Sequence, residues 1–201
     1  MVSTAFKPAV TRVIEPIARG AVRLRITPDM VTLFGTIGTI VSALVLIPRG
    51  ELFLASLVIP LFLLSDLFDG AIARLSDRGA TLWGGFLDST CDRLSDSALL
   101  GALAIYCIFE ENQLSPVVLS SIVLGFLVSY VRAKSESYGV SCTVGIAERT
   151  ERLVLSLFAI GLHGLGVPFA LAIGVWLLTL LSAITVIQRV VVVRKGLRIN
   201  G

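Results

Sequence analysis

The chain has 201 residues, 55% of them hydrophobic and only 15% charged, with a mean hydropathy of +0.91 and a formal net charge of +3. No soluble domain of this size needs so much apolar surface. The pI of about 9.0 is read as membrane topology and contact with anionic lipid, not as nucleic-acid binding.

The N-terminus has no short apolar core followed by a small-residue cleavage site, so no removable signal peptide is expected. Instead Val10, Val13, Ile14, Ile17, Ala21 and Leu24 recur at helical spacing opposite Arg12, Arg19 and Arg23. This pattern predicts an amphipathic helix on the membrane surface, interrupted or restarted at Pro16, within a cytoplasmic segment of residues 1–29. Next, Thr27-Pro28-Asp29-Met30-Val31-Thr32 reads as a helix start, with Thr27 as N-cap and Pro28 at the first helical position.

Residues 30–201 are expected to form one all-α, polytopic membrane domain of six transmembrane helices, from apolar runs at about 30–48, 52–65, 97–109, 115–131, 153–170 and 171–193. Lys7, Arg12, Arg19, Arg23 and Arg25 precede the first span. Arg74 and Arg78 follow the second, Arg132, Lys134, Arg149 and Arg152 surround the fourth-to-fifth connection, and Arg194, Lys195 and Arg198 follow the sixth. The opposite loops hold Arg49, Glu110, Glu111 and His163. The basic side is therefore expected to be cytoplasmic, with both termini and the active site on the cytoplasmic side of a cell membrane. His163, in GLHGLG, is expected to be a solvated loop residue, and Cys91, Cys107 and Cys142 show no metal or disulfide spacing and are read as packing residues.

The second span ends in DLFDGAIAR, Asp66 to Arg74, and the third opens with GGFLDSTCD, Gly84 to Asp92. Asp66 and Asp69 are three apart and Asp88 and Asp92 four apart, so each pair occupies one face of its helix. Fourteen residues, Leu52 to Ser65, span about 21 Å of helix, which sets Asp66 near the inner hydrocarbon boundary. Four carboxylates at one depth repel unless cations lie between them. Oxygen ligands without Cys or His favour Mg²⁺ or Mn²⁺, and two ions at ~3.5–4 Å would suit the set. Gly70 and Gly84 would let backbone or a bulky ligand approach, and Arg74 can meet a phosphate. Asp96 extends the acidic stripe one turn further and is not counted as a ligand.

Asp66-x-x-Asp69-Gly70-x-x-Ala73-Arg74 followed by Gly84-x-x-x-Asp88-x-x-x-Asp92 resembles the signature of the CDP-alcohol phosphotransferases, integral membrane enzymes of six helices. Nine residues separate Arg74 from Gly84 where the commonest form has eight. The extra residue falls in a connection between two helices and leaves both registers intact.

The resemblance implies that Asp66, Asp69 and Asp88 hold the metals, and that Asp92 contacts the second metal and acts as general base. Gly70 and Arg74 would contact the CDP group of CDP-diacylglycerol. Thr81 would help hold the nucleotide while capping the third span, and Asp29, Met30, Val31 and Thr32 would border the cytidine. For Asp29 and Thr32, plain capping serves equally well. The implied reaction displaces CMP from CDP-diacylglycerol by an alcohol, with the lipid tails left in the bilayer.

Lys134, Arg152 and Arg194, all on the cytoplasmic level, suggest an acceptor that carries a phosphate, with simple topogenic charge as the alternative reading. Arg132 and Arg149 are taken as topogenic. SYVRAKSESYG and ERTER resemble actinobacterial members of the family whose acceptor is inositol 1-phosphate. Glycerol 3-phosphate is the competing acceptor. The family also implies a homodimer. A cation channel or proton-coupled transporter is disfavoured because the outer halves of the helices are almost free of ionisable groups.

Overall fold

The computed structural model describes residues 15–76, 79, 81–110 and 113–200, so Lys7, Val10, Arg12, Val13, Ile14, Arg78 and Glu111 lie outside the described residues. Among the described residues the chain is all-helical. A stretch α1 (15–23) is followed by α2 (Pro28–Leu46), α3 (Leu52–Leu63), α4 (Ser65–Leu75), α5 (Leu82–Phe109), α6 (Ser115–Ser137), α7 (Arg149–Gly164) and α8 (Ala170–Asn200).

Among the described residues four stretches are long and apolar enough to cross a membrane: Pro28–Leu46, Leu52–Leu75, Ser115–Ser137 and Ala170–Arg198. Two of the six expected spans differ for physical reasons. Helix α5 is long but carries Asp88, Asp92, Arg93 and Asp96 between its second turn and its middle, and α7 has only 16 residues. Large apolar side chains face outward along the qualifying helices, including Phe34, Ile37 and Val41 on α2, Val123 and Phe126 on α6, and Ile173, Leu180 and Ile187 on α8. Helices that satisfy their own backbone and present such surfaces are solvated by lipid. The chain is an integral membrane protein.

By internal contacts the chain falls into two units, the residues up to Ser42 with Val58–Ser95, and Ala43–Leu57 with Asp96 onward. In the first unit, α1 closes with a paired turn in which Ile26 N–H reaches Ala21 O and Arg25 N–H reaches Val22 O, with Arg25 at φ 59°. Helix α2 then starts as expected: the Thr27 hydroxyl accepts the Met30 N–H at 3.3 Å, and Pro28 takes the first position, where no N–H is needed. Ala18 is fully buried with Ala71 and Ile72 of α4, and Ala21, Val22, Val31, Phe68 and Leu75 pack round them. The buried side of α1 is thus the small-residue stripe, while Ile17 and Leu24, from the expected apolar face, are 56% and 75% exposed.

Two glycines let α2 approach its neighbours closely. A Cβ at Gly35 would overlap Ser65 Oγ, and one at Gly38 would overlap the Phe62 ring. Phe34 and Phe62 stack in a tilted pair with centroids 5.8 Å apart beside this notch. The expected second span is two helices, broken at Leu64. Pro60 lies inside α3, where its missing N–H removes one ladder hydrogen bond a turn before the break. The aspartates therefore stand on a helix of their own, α4, and not at a frayed end.

In the second unit α8 packs against α6 and α7. Ser121 Oγ and Thr179 Oγ1 lie 2.6 Å apart between α6 and α8, and a Cβ at Gly174 would overlap that of Ala159 on α7. Cys107 and Cys142 here, and Cys91 in the first unit, are buried and free, as packing residues should be. His163 departs from its expected place. It belongs to the last turn of α7, half-buried, with its ring nitrogen 3.5 Å from Tyr106 Oη. An α7 that continues to Gly164 carries His163 inside the helix, where the Gly-rich sequence suggested a loop.

The segment from Tyr138 to Glu148 is irregular yet buries Val140, Cys142 and Ala147. It is fastened to α8. Arg189, 3% exposed, donates to Val144 O at 2.9 Å and to Val128 O at 2.6 Å, and Thr185 Oγ1 accepts the Ala147 N–H at 3.0 Å. The bonds to Val144 O and from Ala147 N–H satisfy a carbonyl and an amide that no ladder serves, and the bond to Val128 O ties α8 to α6.

Candidate active site

Helical register does the first part of the assembly. On α4, Asp66 and Asp69 project from adjacent turns of one face, and on α5, Asp88 occupies the second turn after a cap in which Thr81 Oγ1 accepts the Gly84 N–H at 2.9 Å. One carboxylate oxygen from each of Asp66, Asp69 and Asp88 lies within 4.8 Å of the others. Asp69 is buried and the other two half-buried.

Three carboxylates this close, with no histidine or cysteine among them, form a hard-oxygen donor set suited to Mg²⁺ or Mn²⁺. The residues present fit such an ion. Like charges at this separation would otherwise repel, and burial of Asp69 raises that cost.

Thr32 adds a contact that the sequence did not announce. Its hydroxyl lies 2.6 Å from Asp69 Oδ2 and 3.1 Å from Pro28 O, and Thr32 is itself buried. Expected at the cytidine border or as a simple capping residue, it also donates to a carboxylate of the aspartate cluster. A hydroxyl one turn inside α2 is the only sequence signal for this role, and it is indistinguishable there from back-bonding to Pro28.

The other expected residues are placed as follows. Asp92 stands one turn beyond Asp88 on α5, outside the three-oxygen cluster, with its Oδ2 3.4 Å from Arg93 Nη2. A Cβ at Gly84 would lie 3.1 Å from Thr81 Oγ1 and 3.7 Å from Asp29 Oδ1, so Asp29, Thr81 and Gly84 share one locality. A Cβ at Gly70 would stand 3.5 Å from Arg74 Nη1, so the Arg74 guanidinium lies across the bare backbone there. Met30 is exposed, whereas Val31 packs on Ala18, Ala71 and Ile72.

Of the three cations expected at an acceptor phosphate, Lys134 is exposed with its Nζ 4.8 Å from the centre of the Tyr138 ring, and Arg194 is exposed near the end of α8. Arg152 is 8% exposed, donates from Nη1 to Ala147 O at 3.2 Å, and pairs through Nη2 with Asp96 Oδ2 at 3.5 Å. The other oxygen of Asp96 takes the Nε–H of Arg149 at 3.1 Å. Asp96, left out of the ligand set, and Arg149, taken as topogenic, are thus joined to Arg152 in one ion-pair group.

The model of the CDP-alcohol phosphatidyltransferase family matches residues 25–195. The chain is 45% identical to a phosphatidylinositol phosphate synthase of Streptomyces avermitilis over 194 residues, which cover 92% of this chain and 79% of the relative. Its identity to the enzyme of the same name from Cutibacterium acnes is 40%, covering 95% and 97%. The fold is similar to a crystal structure of Mycobacterium tuberculosis phosphatidylinositol phosphate synthase with CDP-DAG bound, at TM-score 0.86 and 39% identity over 90% of this chain and 94% of that one. It is also similar to the same synthase in complex with manganese and citrate, at TM-score 0.83 over 90% and 88%.

Proposed function

The chain belongs to the CDP-alcohol phosphatidyltransferase family, and we propose that it transfers the phosphatidyl group of CDP-diacylglycerol to inositol 1-phosphate, releasing CMP and forming phosphatidylinositol phosphate. The observation that carries this reading is the convergence of Asp66, Asp69 and Asp88 within 4.8 Å, on the two helices that bear the family signature. The choice of acceptor rests on the relatives, which share about 40% identity over nearly the whole chain.

Asp66, Asp69 and Asp88 hold divalent metal, with Asp92 reaching a second ion. When bound, the metal neutralises the diphosphate and the charge that develops as CMP departs. Thr32 keeps Asp69 turned toward its ligand position. Gly70 and Arg74 receive the CDP diphosphate, and Asp29, Met30, Val31, Thr32 and Thr81 border the nucleotide. Asp92 takes the proton of the acceptor hydroxyl as its oxygen attacks the phosphorus on the lipid side, and the bond from that phosphorus to the CMP oxygen breaks. Lys134, Arg152 and Arg194 bind the acceptor phosphate.

In this reading α5 and α7 join the four longer stretches to make six spans. The charges of α5 are accommodated at the aqueous edge and α7 is shielded by protein. Residues 1–29 form a cytoplasmic segment whose helix lies on the membrane through Ile17 and Leu24, residues 30–201 form the catalytic domain, and both termini and the active site are cytoplasmic. The chain works as a homodimer. The deciding experiment is incubation of the purified protein with CDP-diacylglycerol, Mg²⁺ and each of inositol 1-phosphate, glycerol 3-phosphate and free inositol, with identification of the lipid formed. Phosphatidylinositol phosphate supports the proposal. Phosphatidylglycerol phosphate as sole product transfers the chain to the glycerol 3-phosphate reading, and no dependence on CDP-diacylglycerol overturns both.

A further inference from the structure

Asp96 is half-buried, and the guanidinium of Arg152 beside it is nine-tenths buried. A buried guanidinium needs a counter-charge, and its direction is set by whatever holds its N–H groups. Ala147 and Asp96 both hold it. Ala147 O receives Nη1–H at 3.2 Å, and Asp96 Oδ2 pairs with Nη2 at 3.5 Å, so one backbone contact and one carboxylate contact orient the fork. Asp96 is itself fixed, because its other oxygen is engaged by Arg149 Nε at 3.1 Å. The carbonyl end is fixed as well, since the Ala147 N–H is bonded to Thr185 Oγ1 on α8. Asp96 thus joins two arginines, Arg149 and Arg152, in one ion-pair group.

We infer that Asp96 is a positioning residue for the acceptor phosphate, acting through Arg152, and that Arg149 serves the same end by holding Asp96 in place. The inference rests on the proposed role of Arg152 and deepens it. A carboxylate among the cations of a phosphate site looks adverse, since it weakens the net field. Its return is orientation: an arginine already held by two partners loses less freedom when the anion arrives. Asp96 therefore acts on acceptor affinity and leaves the CDP-lipid alone.

Steady-state kinetics on the full chain in detergent or nanodiscs, with CDP-diacylglycerol and inositol 1-phosphate varied separately, test this. Asp96→Asn and Asp96→Ala are expected to raise the acceptor KM about ten-fold, the scale of one charge-assisted hydrogen bond, with the CDP-diacylglycerol KM unchanged. Asp96→Glu is expected to recover part of the loss, and Arg149→Gln to show a smaller rise in the same KM. Arg132→Gln, whose partner Glu136 sits on the exposed face of α6, serves as the charge control and leaves both constants alone. A purely structural role for Asp96 would lower thermal stability and kcat without splitting the two KM values, and that result overturns the inference. If Arg152→Gln raises the acceptor KM while Asp96→Asn does not, the phosphate site stands and the positioning role falls. If Arg152→Gln itself leaves the acceptor KM unchanged, the proposed acceptor site is wrong, and Asp96 with it.

Discussion

The Thr32 hydroxyl lies 2.6 Å from Asp69 Oδ2, joining the start of α2 to the carboxylate cluster of α4. Because Asp69 is the buried member of that cluster, this bond decides which way its carboxylate presents its oxygens. Thr32→Val keeps the shape and deletes the donor. Hydrogen bonds to charged groups contribute about 1.5–3 kcal/mol, so the Mg²⁺ or Mn²⁺ concentration for half-maximal activity should rise about ten-fold or more. Thr32→Ser should stay near the parent. Metal titrations of the three proteins check this, and equal half-maximal concentrations would remove Thr32 from the metal site.

Asp92 stands one turn beyond Asp88 and outside the cluster of three oxygens, which suits a proton acceptor more than a principal ligand. Asp92→Asn should abolish CMP release while CDP-diacylglycerol and metal still bind in part. Excess EDTA should stop the unaltered enzyme. Near-normal turnover by the asparagine variant counts against the base, and full activity in EDTA against the metal.

The three cations proposed for the acceptor phosphate should not be equal. Arg152 is buried, whereas Lys134 and Arg194 are exposed, and exposed pairs are screened by water and salt. Arg152→Gln should raise the acceptor KM about ten- to a hundred-fold, and Lys134→Gln and Arg194→Gln by clearly less, all with the CDP-diacylglycerol KM little changed. Free inositol should be a poor acceptor. Equal use of inositol and inositol 1-phosphate contradicts a phosphate site.

Glycine substitutions separate packing from open space. Gly35→Ala would drive a Cβ into Ser65 Oγ and should cost about 1–3 kcal/mol, read as a lower midpoint in thermal unfolding in detergent. Ser65→Ala in the same chain should restore part of the loss. At Gly85 nothing lies within 4 Å of the added methyl, so Gly85→Ala should be neutral or slightly stabilising. A destabilised Gly85→Ala would mean that another surface meets α5 there.

Thr185→Val should expose the Ala147 amide, because its acceptor on α8 is gone. Hydrogen exchange in the segment 138–148 should quicken, with helix α6 little affected. Unchanged protection of Ala147 would show that Arg189 alone fastens the segment.

Much of this was legible in the chain itself. The spacing of Asp66, Asp69, Asp88 and Asp92 gives the faces of two helices, and Thr27-Pro28 and Thr81 give two helix starts whose caps are present at 3.3 and 2.9 Å. What stayed hidden depends on partners distant in sequence. Thr32 and Asp69 are separated by 37 positions, and Asp96 and Arg149 by 53, and periodicity within one helix says nothing about either pair. Arg149 looked topogenic because an arginine near a membrane edge serves orientation whatever else it does. Arg189 stands inside an apolar run, and its partners are carbonyls of Val128 and Val144, groups that every residue carries. His163 was misjudged because glycines on both sides suggest a turn, yet α7 runs through them to its end at Gly164.

The notch formed by Gly35 and Gly38 against Ser65 and Phe62 acts as an indexing stop along the helix axes. Gly35 is three residues from Thr32, and Ser65 is four from Asp69, so each side of the stop lies about one turn from its half of the hydrogen bond. With the stop engaged, axial sliding is blocked and the two side chains meet without adjustment. Inserting or deleting one residue between Thr32 and Gly38, or between Phe62 and Asp69, would swing the far group by about 100° and break the alignment. Length variation is therefore excluded on these two short arcs.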